Sequence, residues 1–389
     1  MRLGRFSLPL LVAAAVLLGA HLFLPGYVER QLNRVAAEPP YGVDARSAEA
    51  YAQIPFVADL HADALLWARD LAERSCRGHM DVPRLLEARV GLQVFSIVTK
   101  TPRGQNYASN SDETDNITAL MVAQARHPRT WGSLLARGLD MCERLGDVAE
   151  RRDDFRVIRS ASEWRAYRED HGADRKQTAG LLAVEGLHLL EGELANLDRL
   201  DEAGVRMVAP VHFFDNALGG SAHGVEKGGL TPFGKTVLAE AEERGMLVDL
   251  AHASEALFDE WLDLATRPVV VSHTGVRGTC PTNRNLSDEQ LRRVAANGGL
   301  VGIGLFAGAT CELGAAATAR AMRHAVDVMG VRHVALGSDF DGAVEAPFDV
   351  TGLPLLVPAL RAEGFSDLEV SALLGGNVYA FLLANLPEP

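Results

Sequence analysis

The chain has 389 residues, and 48% of them are hydrophobic, which is enough to bury the core of one large domain or two ordinary ones. Its 38 Lys and Arg residues stand against 51 Asp and Glu residues, for a formal net charge of −13. This acidic balance argues against nucleic acid as a partner, because binding to phosphate requires a basic surface.

The amino terminus carries an apolar run that predicts a transmembrane helix. The run extends from Phe6 to about Pro25 and reaches the roughly 20 residues needed to cross a bilayer. It is longer than the roughly 7–15 residues of a signal-peptide core, so an uncleaved signal-anchor is favoured over a removed signal peptide. Arg2 and Arg5 precede the run and favour an inside amino terminus, which places the rest of the chain outside the cytoplasm.

Three segments follow from this interpretation. Residues 1–25 are the signal-anchor or signal peptide. Residues 26–50 contain Pro39-Pro40 and Gly42, and predict a tether. Residues 51–389 form the large domain, which we expect on the periplasmic or cell-surface side of a membrane.

Eight apolar, β-rich runs follow the tether, and most are continuous rather than alternating, as expected for strands covered on both faces. Helix-starting patterns lie between them, including the pair Thr231-Pro232, Ser254 and the capping-box pattern of residues 287–290. The alternation predicts an α/β fold, a (β/α)₈ TIM-like barrel. The eight runs are Phe56–Asp63, Gly91–Thr99, Gly180–Glu185, Arg206–His212, Met246–His252, Val269–His273, Leu300–Leu305 and His333–Asp339.

Two further features of the pattern bear on the fold. A doubly wound open sheet is the alternative fold, but no Gly-x-Gly-x-x-Gly follows any run, so a dinucleotide site has no support. A ninth short run, Phe155–Ser160, is interpreted as a side element.

Polar side chains stand at the carboxyl ends of these runs. In a parallel barrel these ends meet at one face, where active sites form. We therefore expect residues scattered along the chain to converge, namely His61, Asp63, Glu185, His212, His252, His273 and Asp339. A single His at a strand end is more often structural, and a lone Asp or Glu often caps the next helix. The whole set, however, favours a metal site, since His and carboxylate are the ligands of catalytic zinc.

Spacing suggests how two metals share these side chains. His61 and Asp63 are two residues apart, so both point to one side of a strand and can share one metal. His252 and His273, from neighbouring strands, can complete a second site, and Glu185 can bridge the two with its two oxygens. This is the two-metal arrangement for hydrolysis, with the ions about 3.5–4 Å apart.

The chain resembles the membrane dipeptidase (renal dipeptidase) family of the metal-dependent amidohydrolase group. Each motif alone is weak, whereas the ordered set is specific and spans residues 59–342. The segments that carry the resemblance are Asp59–Asp63, Val184–Gly186, Gly229–Gly234, Leu247–His252, Ser272-His273 with Arg284-Asn285, and Gly337–Gly342.

The resemblance implies a role for each site residue. It implies two zinc ions held by the five ligands named above, with Glu185 bridging. His212 corresponds to the histidine that contacts the scissile group, and Arg284 to the arginine that receives the terminal carboxylate of the substrate. Asp339 corresponds to the acidic residue beside the bridging water, and we prefer it to Asp341 because it is nearer to the strand end.

The sequence departs from the family pattern around His212. It reads Val-His-Phe-Phe-Asp-Asn-Ala there, and the segment Gly219–Gly224 is also unusual. We expect this segment to shape the substrate pocket and to leave the metal chemistry intact. His223 could join the site, although a loop histidine without a functional role is the simpler interpretation.

The expected function is hydrolysis of dipeptides by a water activated between two zinc ions. In that mechanism His212 stabilises the oxyanion, Asp339 moves the proton, and Arg284 binds the free carboxylate. Another amidohydrolase activity on the same metals, on acylated amino acids or lactones, is the first alternative. Two further alternatives are a membrane-tethered binding protein without turnover and a structural module without metal. The resemblance also implies that a homodimer can form.

Four cysteines are present, at positions 76, 142, 280 and 311, and none belongs to a Cys-x-x-Cys pair. This spacing fits neither a zinc ribbon nor a small disulfide scaffold. Four unrelated thiols are one interpretation. One disulfide is the other, if the domain lies outside the cytoplasm.

Overall fold

The computed structural model describes residues 19, 21, 23–171 and 176–388. Most of the expected membrane run, Phe6 to about Pro25, lies outside these residues. Within the described part, one helical stretch, Asp367–Asn385, is long and apolar enough to cross a membrane by length and composition. Its residues Val378 and Leu382 are buried in the protein core, as in a helix that covers a sheet.

Eight parallel strands form the centre of the fold. The first five pair in chain order, the last three form a second parallel sheet, and every pairing between neighbours is parallel. The strands are β1 Val57–Ala62, β2 Val90–Ile97, β3 Thr178–Glu185, β4 Val205–Ala209, β5 Leu247–Val248, β6 Val270–Thr274, β7 Leu300–Ile303 and β8 Val334–Leu336.

Two single bridges join the two sheets. Asp249, just after β5, pairs in parallel with Val270 of β6, and Ala62 of β1 pairs in parallel with Phe340, just after β8. The eight strands therefore follow one another in chain order around a common centre. The carboxyl ends of all eight strands lie on the same face.

Helices separate the strands, and their starts follow the sequence signals. The side chains of Thr231, Ser254 and Ser287 each accept a hydrogen bond from the backbone of the following first turn, and Ser287 and Gln290 form the predicted capping box. The helices are Ala45–Gln53, Val82–Glu87, Ile117–Ala123, Arg129–Gly132, Leu134–Arg151, Ala161–His171, Asn196–Glu202, Pro232–Glu243, Glu255–Leu264, Asp288–Asn297, Ala307–Thr310, Ala315–Met329, Leu356–Ala362, Asp367–Ser371 and Asn377–Asn385, with residues 23–32 also helical.

All eight predicted strands are present, but three end three or four residues earlier than predicted. β4 ends at Ala209, β5 at Val248 and β8 at Leu336. His252 and Asp339 have φ angles of 64° and 63°, a left-handed conformation outside the range of a regular β-strand. These site residues therefore lie on the loops that follow the strands. The short strand Phe155–Val157 pairs only with the start of β3, as expected for a side element.

Residues 26–50, for which we predict a tether, contain ordered elements. The helix that includes residues 23–32 ends there, and Arg34–Val35 pairs in parallel with Glu345–Ala346, in the loop after β8. Helix Ala45–Gln53 then begins, with Asp44 as its cap. The segment is packed against the domain because it has backbone partners there.

Candidate metal and active site

The five predicted metal ligands meet at the carboxyl ends of the strands. His61 lies near the end of β1 with Asp63 just after it, Glu185 ends β3, His252 follows β5, and His273 lies in β6. All five are almost completely buried. Buried charged side chains need partners, so their grouping indicates a common function rather than chance.

One oxygen of Glu185 faces two histidines. Glu185 Oε1 lies 2.9 Å from His252 Nε2 and 3.2 Å from His273 Nε2, and the two Nε2 atoms are 3.1 Å apart. Tetrahedral zinc with ligands at 2.0–2.1 Å separates its ligand atoms by roughly 3.3 Å. The three atoms are therefore spaced as the ligands of one metal ion.

The other oxygen of Glu185 faces the second group. His61 Nε2 lies 3.7 Å from Glu185 Oε2, 3.3 Å from Asp63 Oδ1 and 4.0 Å from Asp339 Oδ1. His61 Nε2, Asp63 Oδ1 and Glu185 Oε1 are buried without a hydrogen-bond partner. Orphaned buried polar atoms are rare, and three in one cluster fit the donor set of a bound cation.

Ser272 orients two of these rings from behind. Its Oγ lies 2.9 Å from His273 Nδ1 and 3.2 Å from His61 Nδ1. The hydroxyl oxygen can accept the Nδ1–H of both rings, which leaves both Nε2 lone pairs directed at the metal positions. Such outer partners fix the tautomer and orientation of metal-binding histidines.

The buried charges shift the pKa values of the cluster. Burial raises the pKa of Glu185 well above its usual value and lowers the pKa of His252 and His273 well below theirs. Burial also lowers the pKa of His61, but Glu185 and Asp63 outweigh it and raise that pKa to about 10. Burial thus disfavours the ionised form of Glu185, and a bound cation would oppose that effect.

His212 lies at the edge of the same cluster. Its Nε2 is 3.4 Å from Glu185 Oε2, and its ring centre is 4.7 Å from that of His252. Burial lowers its pKa well below the usual value, so the ring is held neutral. The hydroxyl of Ser221 donates to the carbonyl of His212 and fixes its backbone.

Arg284 faces the cavity from the loop after β6. Its side chain is buried, it donates a hydrogen bond to the carbonyl of His273, and its guanidinium carbon lies 5.9 Å from the centre of the Phe306 ring. Burial lowers the pKa of the guanidinium, with Tyr107 and Asp339 opposing that effect. A buried guanidinium in a cavity is suited to a carboxylate ligand.

Asp339 and Asp341 have different surroundings. Asp339 belongs to the group formed with His61 and Asp63, and burial raises the pKa of its carboxyl. Asp341 instead accepts hydrogen bonds from Arg69 and from the backbone N–H of His79, the latter at 2.7 Å. Asp341 therefore supports the loop, while Asp339 faces the cluster.

A cavity of about 730 Å³ opens above the cluster. Its size is typical of a small-molecule site. The sequence interpretation missed several of its walls, because no motif marks them: Trp67, Tyr107 and Phe306 come from loops, and four residues come from the helix over 23–32. The lining contains every predicted site residue except His61, which lies beneath.

The segment Gly219–Gly224 borders the site without joining the metal groups found among the described residues. The backbone N–H of Ser221 donates to Asp215 at 2.8 Å, which folds the segment onto the His212 loop. Ala222 lines a second cavity of about 450 Å³, on the side of His252 and Arg284. His223 Nδ1 lies 3.0 Å from the carbonyl of Tyr107, so this histidine packs between loops.

A disulfide joins Cys280 to Cys311, whose Cα atoms are 5.4 Å apart. It links the loop after β6, which carries Arg284, to the loop after β7. Cys76 is exposed and Cys142 is buried, and both are free thiols. Of the two interpretations of the four cysteines, the structure has the single disulfide.

Comparison with known proteins gives a consistent result. The chain matches the family described as membrane dipeptidase (peptidase family M19) over residues 45–382. It is 30% identical to dipeptidase tcpJ of Claviceps purpurea, across 78% of this chain and 69% of that protein. It is 29% identical to dipeptidase aclJ of Aspergillus oryzae, across 84% and 77%.

A solved structure shares the fold. A metallopeptidase from Rhodobacter sphaeroides, liganded with a phosphinate mimic of the dipeptide L-Ala-D-Ala, is 28% identical, with a TM-score of 0.69 over 85% of this chain and 99% of that chain. The family expected from the sequence is thereby confirmed. The chain belongs to the membrane dipeptidase family, peptidase family M19, and is a metal-dependent dipeptidase.

Proposed function

We propose that the enzyme uses two zinc ions, which Glu185 would hold together with His61 and Asp63 on one side and His252 and His273 on the other. The observation that supports this proposal is that the two carboxylate oxygens of Glu185 face two different groups of ligand side chains. Oε1 lies within 3.2 Å of His252 and His273, whereas Oε2 lies 3.7 Å from His61. Imidazole and carboxylate ligands favour zinc among the common divalent metals.

When bound, the two ions supply an activated water and polarise the peptide carbonyl. The protein residues do the remaining work. His212, held neutral by burial, donates a hydrogen bond from a ring nitrogen to the developing oxyanion. Asp339 accepts the proton of the attacking water and delivers it to the leaving nitrogen, a role suited to its raised pKa.

Arg284 binds the free carboxylate of the dipeptide and sets the length of the substrate. A longer peptide has a neutral amide at this position, which cannot form an ion pair with the buried guanidinium. The phosphinate mimic of L-Ala-D-Ala bound to the similar Rhodobacter sphaeroides enzyme supports a dipeptide substrate with a D residue at the carboxyl end.

The two sheets and their joining bridges form one closed (β/α)₈ barrel in this proposal. An amino-terminal transmembrane helix anchors it, with the catalytic domain outside the cytoplasm, and two chains associate as a homodimer. The Cys280–Cys311 disulfide supports the location, because disulfides persist in oxidising compartments.

The test is metal content and activity of the full chain purified in detergent. We expect about two zinc ions per chain, hydrolysis of dipeptides, loss of activity with a chelator, and recovery with zinc. Acylated amino acids and lactones assayed beside the dipeptides separate the alternative amidohydrolase activities. Folded protein that was never exposed to chelator and contains no metal would contradict the two-zinc proposal.

A further inference from the structure

The helix over residues 23–32 forms one wall of the active-site cavity. Leu24, Val28 and Leu32 are spaced four residues apart, so they share one helix face, and Pro25 lies beside them in the cavity lining. We call these four residues the amino-terminal wall. They precede residue 45, where the match to the family begins, so the wall lies outside the matched region.

Other walls of this cavity are also apolar. Leu66 and Trp67 follow β1, and Ile117 and Leu120 belong to helix Ile117–Ala123. Together with the amino-terminal wall they form an apolar cleft, and Asp63 of the metal cluster also lines the cavity. A cleft with these walls favours an apolar group, because each apolar surface leaves water on binding.

Buried polar contacts hold the wall in place. Glu29, 1% exposed, pairs with Arg69, and its other oxygen lies 3.2 Å from Arg77 Nε. Arg69 pairs in turn with Asp341, two residues from Asp339. A carboxylate is rarely buried this deeply without partners, so the helix is a built part of the site.

Two further contacts fix the end of the helix to the loop after β8. The side chain of Asn33 accepts a hydrogen bond from the backbone N–H of Ala343 at 2.9 Å. His79 Nε2 lies 3.0 Å from the carbonyl of Arg34, and its Nδ1 accepts from the N–H of Asp341 at 2.8 Å. The amino-terminal wall is thus tied to the same loop that carries Asp339.

The position of Arg284 sets the direction of the substrate. Arg284 follows β6, whereas the apolar cleft lies beside the loops after β8, β1 and β2. A dipeptide with its carboxylate at Arg284 and its carbonyl at the metal cluster directs its amino-terminal residue toward the cleft. The cleft therefore receives the side chain on the acyl side of the scissile bond.

We propose that the amino-terminal wall is a specificity element, which selects dipeptides with a bulky apolar amino-terminal residue such as Phe or Leu. This inference rests on the proposed function, in particular on carboxylate binding by Arg284. Removal of the apolar side chains should weaken selection for large residues without affecting the chemistry at the cluster.

The experiment compares kcat/KM for Phe-Ala and Ala-Ala in the full chain. The wild-type enzyme should favour Phe-Ala, and the variant with Leu24→Ser, Val28→Ser and Leu32→Ser should lower the Phe-Ala to Ala-Ala ratio by roughly tenfold. A general folding defect would lower both rates together and leave the ratio unchanged. Tyr27→Ser is the matched control, since Tyr27 lies on the same helix, is 62% exposed and does not line the cavity.

Two single substitutions test the same idea with less risk to folding. Val28→Ser should lower the ratio in the same direction, and Val28→Trp should fill the cleft and reduce Phe-Ala turnover more than Ala-Ala turnover. An unchanged ratio in all variants that retain metal, or a wild-type enzyme without preference for Phe-Ala, would overturn the inference. A metal-loaded wild-type enzyme that hydrolyses neither dipeptide would instead contradict the proposed function itself.

Discussion

The Nε2 atoms of His252 and His273 lie 3.1 Å apart, and Glu185 Oε1 is within 3.2 Å of both. This triangle supplies all the contacts proposed for one metal ion. Replacing both histidines by Ala removes two of its three ligand atoms. We expect metal content to fall from two ions to one per chain, with loss of activity, as measured by elemental analysis. His324→Gln, outside the cluster, is the control, and two ions retained in the double variant would argue against this site.

The Ser272 hydroxyl should contribute to metal affinity through His61 and His273. Ser272→Ala removes the acceptor for both Nδ1–H groups, and loss of such a partner typically weakens metal binding by 10–100-fold. A competition titration with a zinc chelator measures the change. Ser96→Ala is the matched control, because Ser96 is also a buried strand serine but its Oγ has no hydrogen-bond partner in the structure. Equal affinity in both variants would show that Ser272 does not act through the rings.

Substitution of Asp339 should affect catalysis, whereas substitution of Asp341 should affect stability. Asp339→Asn should lower kcat by roughly 10²–10⁴-fold, as for loss of a general base, while metal content is retained. Asp341→Asn should instead lower the free energy of unfolding by about 3–5 kcal/mol, because it breaks a buried pair with Arg69. Urea unfolding and steady-state kinetics distinguish these effects. A loss of stability in Asp339→Asn and a loss of kcat in Asp341→Asn would show that the two roles are exchanged.

Arg284 should act on substrate binding. Arg284→Ala removes a charge-assisted contact with the carboxylate, and the expected loss in kcat/KM is roughly 100-fold, without a loss of metal. Steady-state kinetics and metal analysis on the same preparation measure both quantities. Arg292→Ala, a surface change in helix Asp288–Asn297, serves as the control. Parallel loss of metal and activity would mean that Arg284 has a structural role.

The disulfide should stabilise both the fold and the carboxylate subsite. Replacing Cys280 and Cys311 by Ser opens a loop of 31 residues, and such a loop contributes about 3–4 kcal/mol. Because Arg284 lies inside this loop, KM should rise as well. Thermal unfolding and kinetics measure the two effects, with Cys76→Ser as the control for an exposed thiol. An unchanged KM would show that the disulfide does not position Arg284 for substrate binding.

Much of the fold could be predicted because its signals are local. Eight apolar runs, six of which end in His, Asp or Glu, specify parallel strands and a polar face, and these strands are present. The positions of His252 and Asp339 on loops could not be predicted, since their positive φ angles depend on the surrounding loops. Their strands therefore end several residues earlier than the apolar runs suggest.

Contacts between segments that are distant in the sequence could not be predicted. Nothing near Ser272 indicates that its hydroxyl lies between two rings, one of them 211 positions away. The sequence left the choice between free thiols and a disulfide open, because two cysteines 31 residues apart come together only when the loops after β6 and β7 pack against each other. Residues 26–50 look like a linker by their Pro and Gly content, yet Glu29 and Asn33 find buried partners in the domain.

The amino-terminal wall has a consequence for how relatives are compared. The metal ligands lie within the region shared by the family, whereas Leu24, Val28 and Leu32 precede it. Two enzymes with the same metal ligands can therefore differ in substrate preference because of the segment that precedes the catalytic domain. Substrate preference in this family should therefore vary independently of the metal chemistry. Proteolysis near residue 40, which removes the wall, should leave an active hydrolase with a different substrate preference.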